Sequence, residues 1–200
     1  MVKAGTRVAL AAATCLLAMP AGAQELSEES VKKFMEYAWQ MVPTQFTKPD
    51  GKTIQVDKKK KEEVVVPMDT AREIIRVGRI SAHAQICDLK DDQLLNYNSL
   101  MRRELEKMKW SEQQIIYINM LHLTTLMLLT GNIKVVEQGD GEKEVAPAES
   151  TKPPPTCSAE QRTKVKELIT AYVASGPKLN IVTAPPPTAT GSTAPAEQKK

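Results

Sequence analysis

The chain has 200 residues, with 27 Lys and Arg against 24 Asp and Glu, two His, three Cys and nine Met. So even a charge balance lacks the basic footprint of a nucleic-acid binder. Two histidines, no glycine-rich phosphate loop and no Cys-x-x-Cys or His-x-x-x-His motif weigh against an enzyme built on acid–base or metal chemistry.

The first 23 residues read as a secretory signal. Lys3 and Arg7 precede the twelve-residue apolar run Val8–Met19, too short to span a bilayer. Pro20-Ala21-Gly22-Ala23 then offers small residues for a signal peptidase, so cleavage is expected after Ala23. Cys15 raises a lipoprotein alternative, but the apolar run continues past it through Leu16–Met19, which favours cleavage at Ala23. Loss of Lys3 and Arg7 leaves 25 basic and 24 acidic residues, and loss of Cys15 leaves two cysteines, Cys87 and Cys157. An even count in an exported chain suggests a disulfide. Joining residues 70 apart would stabilise the fold by about 4 kcal/mol in the loop-entropy model.

Residues 26–42 have a helical pattern: Ser27 as N-cap, Glu28 and Glu29 in the first turn, and Val31, Phe34, Met35, Ala38 and Trp39 at helical spacing up to Pro43. Lys48-Pro49-Asp50-Gly51-Lys52 is a turn signal. Thr53–Asp57 alternates like a half-buried strand, and Val64–Val66 is β-branched, so 44–66 is expected to form a small antiparallel hairpin or three-stranded flap. The basic run Lys58–Lys61 reads as a solvated turn.

The next helix is expected over 68–89, a break at Lys90-Asp91-Asp92, and a further helix over 92–109. Ser111 with Gln114 is a capping box, and Gly131 suits a left-handed C-cap, bounding a helix from Glu112 to about Thr130 that is apolar all round. Such a helix belongs in the middle of a bundle. Asn119, His122, Thr124 and Thr125 argue against a membrane span. Residues 138–156 are Glu-, Gly-, Pro- and Lys-rich and read as a linker. A second capping box, Ser158 with Gln161, opens a C-terminal helix within 157–176, and 177–200 has the composition of a disordered tail. The expected fold is all-α: a small bundle of about five helices with a short β-hairpin insertion at 44–66, the core spanning 24–137 and the last helix docked on it.

The stretch SAHAQICDL sets His83 and Cys87 four residues apart, on one helix face. Pairing of Cys87 with Cys157 would remove the thiolate that a Cys–His nucleophile or a His83–Cys87–His122 metal site needs. His83 and His122 remain weak metal candidates. A copper site with Met120, or haem between a histidine and a methionine, is conceivable for a helical bundle, but nine methionines beside two phenylalanines read more simply as core filler. His122 is read as a core imidazole with a hydrogen-bond partner. Arg72, Arg76, Arg79 and His83 fall in one stripe of the 68–89 helix, bordered on both sides by apolar positions. They are a candidate surface for an anion or a partner, with Glu73 and Asp69 near enough to neutralise Arg72 and Arg76.

These readings lead to the expectation of an exported, periplasmic or secreted, non-catalytic helical protein. It would act as an interaction or accessory module with an unidentified protein partner, no cofactor, no nucleic acid and no stable membrane insertion. The alternative is a periplasmic ligand, metal or haem carrier using His83, His122 and the methionines.

Overall fold

The computed structural model describes residues 26–139, 142–148 and 156–177. It is a small helical bundle with short antiparallel strand pairs: α1 Glu28–Met41, β1 Gln45–Thr47, β2 Thr53–Gln55, α2 Lys61–Val64, α3 Met68–Ile86, α4 Lys90–Glu106, α5 Glu112–Thr130, β3 Ile133–Glu137, β4 Lys143–Pro147 and α6 Ala159–Ala174. The expected signal segment 1–23 and the expected tail from 178 on lie outside the described residues. No helix among those described is long and apolar enough to cross a membrane.

The caps form where the side chains predict them. Ser27 Oγ accepts from Ser30 N at 3.2 Å. Ser111 and Gln114 complete a reciprocal box, as do Ser158 and Gln161. Gly131 ends α5 at φ 76°, a left-handed conformation that costs a residue without Cβ little. α5 is the central helix, packed between α3 and α1. It buries Ile116, Tyr117, Ile118 and Leu121 against Val31, Ala38 and Trp39 of α1 and Ile74, Ile75 and Val77 of α3. The buried Tyr117 hydroxyl is satisfied by donating to Met35 O at 3.1 Å.

In the first hairpin Phe46 pairs with Ile54 across the Lys48–Lys52 turn, with Gly51 at φ 83°. Ile54 points into the core, and Gln113 at the start of α5 donates to Gln55 O at 2.8 Å, fixing the hairpin to the bundle. The third strand allowed for at 64–66 does not form. Lys61–Val64 instead makes one helical turn, because Val64 and Val66 are needed in the core rather than on a sheet face. Nor is Lys58 simply solvated: its ammonium lies 4.4 Å over the Trp39 ring and donates to Trp39 O at 2.6 Å.

The break between α3 and α4 falls earlier than the expected 90–92. α3 stops at Ile86, Asp88 takes φ 52°, and Leu89 N closes onto Ala84 O at 2.8 Å. Asp91 and Asp92 then occupy the first turn of α4, where carboxylates favour a helix start rather than a break. The expected linker over 138–156 contains β4, which pairs with β3 in the register Val135↔Val145. Gln40 of α1 holds its edge, donating to Lys143 O at 2.9 Å and accepting from Val145 N at 3.1 Å.

α6 lies on α3 and α4 over a second, smaller apolar cluster of Ala84, Cys87, Leu89, Val165 and Ile169. The sulfurs of Cys87 and Cys157 are bonded, with their Cα atoms 5.0 Å apart, at the N-terminal end of α6. At its C-terminal end Arg103 donates to Tyr172 O and to Ser175 Oγ (2.9 Å) and stacks 4.4 Å from the Tyr172 ring.

Candidate functional site

Three helices place a polar cluster inside the apolar core. Asn96 of α4 donates through Nδ2 to Val77 O at 3.1 Å and to Ser81 Oγ at 2.9 Å, and Ser81 Oγ lies 2.9 Å from His122 Nε2 of α5. A carbonyl can only accept, so the Val77 oxygen fixes the orientation of the Asn96 amide. Ser81 Oγ then accepts from Asn96 and gives its own proton to His122 Nε2, so the imidazole carries its proton on Nδ1. Burial pushes His122 down to about 4, so the ring is neutral at pH 7. A serine hydroxyl on an imidazole is one half of a nucleophile–base pair. Here Ser81 is fully buried and is already engaged by Asn96, so no reactant reaches Oγ in this arrangement.

His122 also lines a cleft between α4 and α5, of about 310 Å³, together with Lys90, Gln93, Leu94, Tyr97, Asn119 and Leu123. The Tyr97 hydroxyl donates to Asn119 Oδ1 at 3.0 Å, and the Tyr97 and His122 rings meet at 5.2 Å. Beyond Leu94 and past Asn98, the outer face of α4 carries Met101 and Leu105, and Met108 follows two residues after the helix ends at Glu106. Leu94 is 57% exposed, Leu105 52% and Met108 89%. Asn98, Arg102 and Glu106 border the shallow depression around Met101, Leu105 and Met108. The opposite face of α4 carries Asn96, Ser99, Leu100 and Glu104, all buried.

The arginine stripe is not gathered around a shared ligand. Arg72 turns inward and donates to Leu26 O, Arg76 pairs with Glu73, and Arg79 and His83 project into solvent. The two apolar flanks of the stripe both descend into the core, which lifts the stripe onto the surface rather than into a groove. His83 and His122 do not form one site. Ser81 faces His122, and a residue two positions further on a helix is turned about 200° away. Cys87 is committed to Cys157, and among the described residues no three His, Cys, Asp or Glu side chains gather as a metal site.

Ser81, Asn96, Tyr97 and Leu123 did not stand out in the sequence, and Asn119 stood out only as a polar break in the apolar α5. The available signal was indirect: polar residues at core-facing helical positions, such as Asn96 beside Ser99 and Leu100. The fold and its cross-link define a disulfide-tied helical bundle with an uncovered apolar helix face. The chain matches no protein-family model, and comparison with characterised proteins and with solved structures gives no significant match.

Proposed function

We propose that this chain is an exported, periplasmic module that engages a protein partner through the outer face of α4 and carries out no chemistry of its own. The observation that carries this reading is the exposure of Leu94 and Leu105 on one face of α4 and of Met108 just past its end, around the half-buried Met101 and beside Arg102 and Glu106. Contiguous apolar surface with a polar rim marks interaction sites, and helix faces spaced in this way are recognised by a partner's groove or helix. The signal-like N-terminus and the bonded cysteine pair support the compartment.

The test is a photoreactive side chain at position 105 in cells, followed by fractionation. A discrete adduct in the periplasmic fraction, lost on adding Leu94→Glu and Met108→Glu, is the expected result. Absence of an adduct from positions 105 and 108 in correctly exported protein, or retention of the chain in the cytosol, would overturn the reading.

A further inference from the structure

The α4–α5 cleft presents hydrogen-bond donors that the fold itself does not use. Nε2 of His122 is taken by Ser81, which leaves Nδ1–H as a donor on a side chain only 4% exposed that lines the cleft. Tyr97 donates to Asn119 Oδ1, so both N–H groups of the Asn119 amide have no partner among the described residues. Gln93 adds a further amide. Lys90 is the one charged side chain in the lining; it stands at the rim, its side chain 86% exposed and 3.5 Å from Asp88. Leu94 and Leu123 form apolar lips on either side.

The donors that remain without a partner dominate this set. The buried floor offers the His122 and Asn119 donors, the rim carries Lys90 beside Asp88, and among the described residues that line the cleft there is no carboxylate. We propose that the cleft binds a carboxylate carried on a short apolar chain, its oxygens accepting from His122 Nδ1–H and the Asn119 amide near Lys90, its chain held between Leu94 and Leu123. A volume of about 310 Å³ lies at the lower end of small-molecule sites and suits a chain of a few carbons. Hydrogen bonds to an ionised acceptor are about twice as strong as neutral ones, so the acid is preferred over the corresponding amide. The inference goes beyond the docking reading: the two share Leu94, but the cleft lies on the α5-facing edge of α4, and Asn119 and Lys90 belong to it alone, so their variants test it independently of the strip.

The test titrates hexanoate, with hexanamide as the neutral counterpart, into the disulfide-bonded protein while the His122 and Leu123 NMR resonances are followed. Hexanoate is expected to shift both, and hexanamide to bind more weakly. Asn119→Asp keeps an acceptor for Tyr97 but replaces the amide donors with a second negative charge, and should weaken hexanoate binding by about tenfold or more. Lys90→Gln, at an exposed position that leaves the core intact, should weaken it severalfold and remove most of its salt dependence. Unmoved His122 resonances at millimolar hexanoate, equal affinity for hexanamide, or undiminished binding by the Lys90→Gln protein would each overturn the proposal.

Discussion

His122 ties its ionisation to the fold within the pH range where the protein can be studied. Its folded pKa, lowered by burial to about 4, lies below the usual value of 6.5, so the unfolded chain takes up a proton in a range where the folded one does not. The stability this contributes is complete above pH 6.5 and is lost as pH falls from there toward 4. At about 1.4 kcal/mol per pH unit, the loss is on the order of 3 kcal/mol. Urea unfolding between pH 7.5 and 5 should show this decline, and His122→Gln, which cannot titrate, should flatten it. An unchanged slope in the variant would assign the decline to other groups. The bland reading of His122 as a core imidazole was available from its apolar neighbours on α5. Its partner was not, because Ser81 lies on another helix and a buried serine looks like an exposed one until the face is known.

At the scale of elements, the closest approach is between α3 and α5. A Cβ added at Gly78 would lie 2.9 Å from Thr125 Cβ and 3.2 Å from the His122 carbonyl oxygen, so α3 can seat on α5 only with glycine there. Gly78→Ala improves helix propensity by up to about 1 kcal/mol but overpacks the contact by about 1–3 kcal/mol. The net expectation is a loss of about 1 kcal/mol, read as a lower urea midpoint at an unchanged slope. A stabilised variant would mean that the two helices separate without cost. In the sequence Gly78 is only an unfavourable helix residue, and its purpose depends on Thr125, 47 positions away. The strand at Lys143–Pro147 was hidden for a related reason: its composition is that of a linker, and its pairing with β3 and with Gln40 supplies what composition lacks. The α3–α4 break was misplaced because Asp91 and Asp92 read equally as helix breakers or as a helix start, and the turn geometry at Asp88 decides between them.

On the scale of the whole molecule the apolar interior falls into two parts. The larger joins α1, α3, α5 and the first hairpin; the smaller lies under α6 and includes Cys87. α6 is held by that small cluster, by the disulfide at one end and by Arg103 at the other. Replacing both cysteines with Ser should therefore reduce hydrogen-exchange protection in α6 well before that in α5, since the larger core does not depend on the link. Equal loss in both helices would show one cooperative unit instead.

The sequence by itself determined the long helices, the caps at Ser27, Ser111 and Ser158 and the mainly helical class, because periodicity, N-cap chemistry and Gly131 act over a few residues. It also singled out the cysteine pair, since the expected loss of the N-terminal signal leaves only Cys87 and Cys157 to bond. Only the tertiary structure decided which polar residues meet. The Ser81–Asn96–His122 cluster, the donor floor of the cleft and the exposed strip on α4 depend on how whole helices are rotated against one another, and that rotation is fixed by packing around α5. The same packing turned Arg76, Arg79 and His83 outward and set His83 and His122 on different faces, which no local pattern could specify.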